Sequence, residues 1–419
     1  MATTPCLSRR DFLGTMAIGA AATAVPRAVR AATSADTPAA RPFALTDAHR
    51  DTLRGVINDA ITRKVIPGAA VVVLSRGQVV LREAYGRAEF ESERPFTVDA
   101  PCFIASLSKA ISATYLVSLD ERGLLSLDDP VEKYLPQFKG VAVQGKGTAK
   151  TTMRVWHLLC HRSGLPGNAD MGDARPQRQA RAAAATGEDG AAAGDYSFEQ
   201  VIGRWIKDGL LAEPGARFAY GSSGYMVAGR IAEVVLGRRF EQLLQQGLLD
   251  PVGMKRTTFH PSAETLSRLP ARYASTPNGT MRDARTMTLP LPAADGLINP
   301  AGGLCSTLDD MAAFVGLHLN RGQVGGKQLI KAESLARMYR PHPPRATEAA
   351  DGGGVGYGLG WNVIAADGLV RHLGASGTLM WLDLRRQHAG VLLTQVKWGP
   401  SRALIPRLMK EVQGIFPAL

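Results

Sequence analysis

The segment FIASLSKAIS, residues 103–112, holds the chain's only Ser-x-x-Lys, Ser106 followed by Lys109. On a helix, positions i and i+3 share a face, so the lysine nitrogen reaches the serine oxygen. A serine hydroxyl becomes a nucleophile when a neighbouring base takes its proton. Lysine can be that base when burial lowers its pKa, because desolvation disfavours the charged form. A helix start adds oriented backbone N–H groups where an oxyanion would form. The competing reading is a surface serine and lysine with no shared task. The flanking residues favour chemistry. SLSKAISATYLVSLDERG is apolar on most faces up to Asp120, which marks a core helix, and Gly123 supplies a C-terminal stop. A buried lysine with no acidic residue near it in sequence costs stability and calls for a function.

The rest of the chain must position that pair. Residues 46–64 read as an amphipathic helix through Leu53, Val56, Ile57 and Ile61. GAAVVVLSRGQVVLREAYG then gives two β-rich runs around Arg76-Gly77, a hairpin pattern. Residues 124–260 read as mainly helical with Pro-terminated turns. Within them, residues 168–197 are poor in large apolar side chains and read as a flexible insertion. From about residue 354 the β pattern returns in VGYGLGWNVI, LVRHLG, TLMWLDLRR and HAGVLLTQV, and RALIPRLMKEVQGIF makes a terminal helix. Strands at both ends with helices between predict an α+β domain over 46–415: an antiparallel sheet flanked by helices, with an inserted mainly helical region. The sheet parts fall at about 46–105 and 300–415, and the helical region at about 106–299.

At 419 residues, 45% hydrophobic and 21% charged, the chain has the composition of a soluble globular protein with a large core. Its net charge of +12 raises nucleic-acid binding, but the basic residues are dispersed, aromatics are 6%, and no nucleic-acid motif is present. Part of the excess lies in Arg9, Arg10, Arg27 and Arg30. There, a twin arginine precedes Phe12 and Leu13, a short Ala/Gly-rich stretch, and small residues suited to cleavage after Ala28 or Ala31. That pattern predicts a twin-arginine export signal over residues 1–31, with the mature protein in the periplasm or outside the cell. The apolar run is too short for a stable membrane span. Removing Cys6 leaves Cys102, Cys160 and Cys305, an odd number among apolar neighbours, which predicts buried structural thiols. His157 and His161 are four apart, but HLLCH lacks the glutamate of a zinc-protease motif, and neither metal nor cofactor is expected. There is no G-x-S-x-G elbow, so nothing marks the nucleophile of a Ser–His–Asp arrangement.

Ser106-x-x-Lys109 resembles the active-site motif of the serine β-lactamase and penicillin-binding-protein superfamily. The resemblance is to its class C branch, which includes family VIII carboxylesterases, D-alanyl-D-alanine carboxypeptidases and D-aminopeptidases. It extends over five blocks in order: PGAAVVVLSRGQVVLREAYGRAE, LLSLDDPVEKYLPQF, TTMRVWHLLCHRSGLPG, PAGGLCSTLDDMAAF and GYGLGW. The family's Tyr-x-Asn corresponds to Tyr220-Gly221-Ser222. This resemblance implies that Tyr220 passes protons between nucleophile, lysine and leaving group, while Tyr225 is a core residue. The third motif, Lys-Thr-Gly in many members, is His372-Leu373-Gly374 here. It implies a strand edge lining the acyl pocket, with the backbone N–H groups of Ala375 and Ser106 forming an oxyanion hole.

Two departures bear on substrate. Ser222 stands where β-lactam-binding members have asparagine, whose amide can donate and accept at once to a substrate's amide, whereas a hydroxyl is shorter and has a single proton. His372 stands in place of the lysine. Both leave the acylation machinery intact and shift the expectation toward a small-molecule ester or amide, with ester hydrolysis ahead. Two alternatives stay open: a β-lactamase, D-Ala-D-Ala carboxypeptidase or D-aminopeptidase on the same machinery, and a non-catalytic acyl-ligand-binding protein.

Overall fold

The computed structural model describes residues 43–168, 198–275, 281–283, 296–342, 356–365, 368–397 and 403–416. The expected export signal lies outside them, as does the insertion at 168–197 apart from Asn168.

Helix α1 (Asp47–Thr62) starts where the Thr46 hydroxyl accepts the His49 N–H, and it turns Leu53, Val56 and Ile57 inward. Strands β1 (Gly68–Ser75) and β2 (Gln78–Gly86) follow as the expected hairpin. Its two-residue turn takes positive φ at both Arg76 and Gly77, the backbone that matches the twist of the flanking strands. The core helix is α2 (Ser108–Glu121), after which Gly123 adopts φ +68° as a left-handed stop.

Between residues 124 and 260 the described residues combine helices with irregular segments. Helices α3 (Val155–Leu159) and α4 (Ser223–Leu236) lie here, with a further helix at Phe198–Asp208 between them and irregular segments beside it. Residues 161–168 and 211–220 contain Gly164, Pro166, Gly167, Pro214 and Gly215, which interrupt helical hydrogen bonding. The two segments bond to each other instead, through Leu211 N–H to Gly164 O and Gly215 N–H to Arg162 O. They lie close: a Cβ on Gly221 would sit 2.9 Å from the Gly167 Cα.

Helix α5 (Leu308–Leu319) leads to the C-terminal strands β3 (Gly356–Tyr357), β4 (Asn362–Ala365), β5 (Leu369–Gly374), β6 (Thr378–Asp383) and β7 (His388–Leu393), then to helix α6 (Leu404–Ile415). One seven-stranded antiparallel sheet runs in the order β3-β4-β5-β6-β7-β1-β2. The N-terminal hairpin therefore joins the last strand, with Val72 opposite Val391.

Both faces of the sheet are covered. This explains why β1 reads as an unbroken apolar run rather than an alternating one. Ala69, Val71 and Val73 pack with α1 and α6, while Ala70, Val72 and Leu74 face a larger core that includes α2 and α5. The observed architecture is the α+β arrangement expected, and it holds α2 between the sheet and the helical region.

Candidate active site

Ser106 lies in a tight turn, Ala105–Leu107, that runs directly into α2. Ala105 takes φ +48°, a left-handed conformation that non-glycine residues rarely hold without constraint from their surroundings. Those constraints are visible. The Ser108 hydroxyl donates to Ala105 O at 2.7 Å and accepts Leu304 N–H at 3.3 Å, which pins the turn to residues 299–304. Ser112 donates to Pro300 O at 2.8 Å and extends the same seam.

Lys109 is 1% exposed. Its Nζ lies 3.4 Å from Ser106 Oγ and donates to Ala301 O at 2.9 Å. Burial pushes its pKa down to about 7, and no carboxylate opposes the shift. Near neutral pH a large share of Lys109 is therefore an uncharged amine beside the Ser106 hydroxyl, the state a general base requires. Ser106 itself is only half-buried, so it stays accessible while its base does not.

Tyr220 meets the same lysine from the other side, with Nζ 4.7 Å from its ring centroid. The tyrosine is half-buried, and Tyr225 is fully buried with its hydroxyl donating to Leu159 O at 2.9 Å. Ser222 is half-buried at the start of α4, and its hydroxyl is not used to cap that helix. Ser106, Lys109 and Tyr220 thus converge, with Ser222 two residues beyond Tyr220.

The end of β5 closes the site. A Cβ on Gly374 would lie 2.5 Å from Ile104 O and 2.0 Å from Thr378 Oγ1, so only glycine lets this strand press against the nucleophile turn. Thr378 fixes the contact by donating to Ile104 O at 3.1 Å. Ala375, half-buried, follows at the lip.

His372 is 1% exposed and stands in the interior. Its Nδ1 is 3.0 Å from Leu373 O, which can only accept, so Nδ1 carries the proton. Its Nε2 lies 3.0 Å from the Tyr357 hydroxyl, which donates to it. Burial, then the nearby Lys109 charge, lowers its pKa to about 3, and the ring is neutral. Both nitrogens are engaged within the protein, so His372 supports the strand end with no free nitrogen to offer a ligand.

Two contributors were not singled out from the sequence, the Ala301 carbonyl and Tyr357. His161, weighed there only as a metal ligand, has its ring centroid 4.5 Å from that of Tyr220. PAGGL and GYGLGW marked their neighbourhoods for Ala301 and Tyr357, but no spacing rule ties either to Lys109. His157 is a helix-start acceptor, taking Arg154 N–H on Nδ1 at 2.9 Å. Among the described residues no cluster suits a metal ion, no helix is long and apolar enough to cross a membrane, and Cys102, Cys160 and Cys305 are buried free thiols.

A half-exposed serine, a buried lysine and a tyrosine meet beside a helix-flanked antiparallel sheet, an arrangement that suits a serine hydrolase. The family model described as Beta-lactamase matches residues 53–413, and the chain belongs to that family. A relative from Escherichia coli (strain K12), named "Putative D-alanyl-D-alanine carboxypeptidase", is 26% identical over 371 residues, covering 80% of this chain and 79% of the relative. Among solved structures, EstCE1, a hydrolase with promiscuous acyltransferase activity, superposes with a TM-score of 0.73 at 22% identity, covering 87% of this chain and 98% of its own. The D-amino acid amidase of Ochrobactrum anthropi SV3 superposes with a TM-score of 0.66 at 20% identity, covering 88% and 99%.

Proposed function

We propose that this hydrolase cleaves carboxylic esters through an acyl-enzyme on Ser106. The reading is carried by the buried Lys109 amine, unopposed by any carboxylate and 3.4 Å from the Ser106 hydroxyl. Neutral Lys109 takes the Ser106 proton as Oγ attacks the ester carbonyl carbon. The resulting oxyanion accepts hydrogen bonds from the Ser106 and Ala375 N–H groups. The proton passes by way of Lys109 and Tyr220 to the alkoxide, which leaves as the alcohol. Water then attacks the acyl-serine, its proton following the same groups, and releases the acid with Ser106 restored.

Esters are favoured over lactams and D-peptides by two residues. Ser222 has a shorter reach and a single proton where an amide has two, and His372 has no free nitrogen and no charge with which to hold a substrate carboxylate. The name of the Escherichia coli relative supports D-Ala-D-Ala peptides as the second reading. The twin-arginine pattern at Arg9-Arg10 supports action in the periplasm or outside the cell.

Intact-mass measurement after a fluorophosphonate probe, on the wild type and Ser106→Ala, tests the nucleophile, with p-nitrophenyl butyrate turnover alongside. Both signals are expected to vanish in the variant, and turnover surviving there would move the chemistry to another residue. Nitrocefin or D-Ala-D-Ala peptides turned over well, with p-nitrophenyl butyrate untouched, would overturn the ester reading alone.

A further inference from the structure

We propose that His161 is the positioning residue for Tyr220, gripping the chain on both sides of that tyrosine. The inference rests on Tyr220 acting as the proton carrier described above.

The backbone N–H groups of Ala219 and Gly221 flank Tyr220, and both donate to His161. Ala219 N–H donates to His161 O at 2.8 Å, and Gly221 N–H donates to His161 Nδ1 at 3.4 Å. The Tyr220 carbonyl is held as well, accepting Asn168 N–H at 2.8 Å. The imidazole lies against the tyrosine it frames, with ring centroids 4.5 Å apart. Main chain and side chain of one residue therefore fix the direction in which Tyr220 leaves the backbone, and so its approach to Lys109 at 4.7 Å.

Two features of His161 are costly for a residue with only a packing role. Its backbone sits at φ +61°, a region where glycine or asparagine is the economical choice. Its other ring nitrogen is also unmatched. Because Nδ1 accepts, the neutral ring carries its proton on Nε2, and that buried nitrogen has no hydrogen-bond partner among the described residues. The neighbours of the ring are aromatic: Tyr357 at 4.8 Å, Tyr225 at 5.5 Å and Phe218 at 5.8 Å between centroids. Burial, then the Lys109 charge, holds the imidazole pKa well below its ordinary value, so it stays a neutral acceptor toward Gly221.

His161→Asn and His161→Gly separate positioning from packing. Both substituents tolerate the left-handed backbone and both leave space where the ring was, but only the asparagine amide oxygen can replace Nδ1 as acceptor. With p-nitrophenyl butyrate, His161→Asn is expected to retain kcat within about threefold. His161→Gly should lose about tenfold or more in kcat with KM moved by no more than about twofold, the signature of a misplaced catalytic group. In a Tyr220→Phe background, His161→Gly should add almost nothing, because the group it positions is already gone. Equal kcat for the two His161 variants, or a full multiplicative loss in the Tyr220→Phe background, would overturn the proposal while Tyr220 kept its role. Tyr220→Phe turning over at the wild-type rate would remove that role itself, and the proposal with it.

Discussion

Two buried polar clusters lie against the same helix, α2, and they are built to different ends. At one end are Lys109, Tyr220, His161 and His372. One turn further along, Thr114 meets His318 and Tyr339. In the second cluster the polar side-chain atoms of Thr114, His318 and Tyr339 are matched in one chain. The Thr114 hydroxyl donates to Ala110 O at 2.7 Å and accepts His318 Nε2–H at 3.1 Å, and His318 Nδ1 accepts the Tyr339 hydroxyl at 2.7 Å. His318 is fully buried, and burial holds its pKa near 3. In the first cluster, Lys109 has a serine oxygen and a carbonyl where a stable ion pair would need a carboxylate, and His161 Nε2 has no partner among the described residues. A satisfied network rigidifies a core, whereas an unsatisfied one beside a half-buried serine keeps a base available.

Breaking each cluster should have opposite consequences. Lys109→Met removes the base and is expected to lower kcat/KM by about a thousandfold in p-nitrophenyl butyrate hydrolysis. It should not destabilise the fold near neutral pH, since it also removes a buried amine. The pH dependence sharpens this. The folded pKa of Lys109 is depressed to about 7 from 10.5, so between those values the unfolded chain holds the extra proton. Stability of the wild type therefore rises with pH across that interval, and the burial penalty applies in full below it. Urea unfolding of the wild type and Lys109→Met at several pH values should show the wild-type slope flattened in the variant.

Next in size is the rate itself. If neutral Lys109 is the base, kcat/KM falls by about tenfold per pH unit below the lysine pKa and levels off above about 7. A profile flat from pH 5 to pH 9 would break the assignment. Smaller still is Tyr357→Phe, which takes the donor from His372 Nε2. The strand end carrying Ala375 then loses part of its support, and kcat should fall by about threefold to tenfold with KM little changed. The smallest kinetic effect belongs to the closed cluster. Tyr339→Phe leaves His318 Nδ1 unmatched and should cost about 1–2 kcal/mol in urea unfolding, with kcat/KM at the wild-type value. Equal kinetic damage from Tyr339→Phe and Tyr357→Phe would erase the distinction between the clusters.

Much of this was legible in the residues, and the exceptions share a cause. The hairpin at Arg76-Gly77, the buried helix after Ser106 and the buried thiols follow from local pattern, and all are present. Within 124–260, the pairing of two irregular stretches around Gly164, Pro166, Pro214 and Gly215 had no local signature, because the segments bond to each other across the fold. His372, expected to line the pocket, instead has both nitrogens bound inside the protein, one of them by Tyr357 fifteen residues away, and burial keeps its ring neutral.

By itself the sequence determined that Ser106 and Lys109 share a helical face, because that contact lies within one turn and needs nothing else. It also determined that the helix is buried, since its apolar side chains have no other favourable environment. Only the tertiary structure decided what surrounds the pair. The Ala301 carbonyl on Lys109, the ring of Tyr220 over its nitrogen, the double grip of His161 and the close passage of Gly374 past Ile104 all join residues far apart in the chain. Such contacts form only when the sheet assembled from both ends of the chain brings β5 to the nucleophile turn. The desolvation that makes Lys109 a base likewise belongs to the folded interior and to no local segment of the sequence.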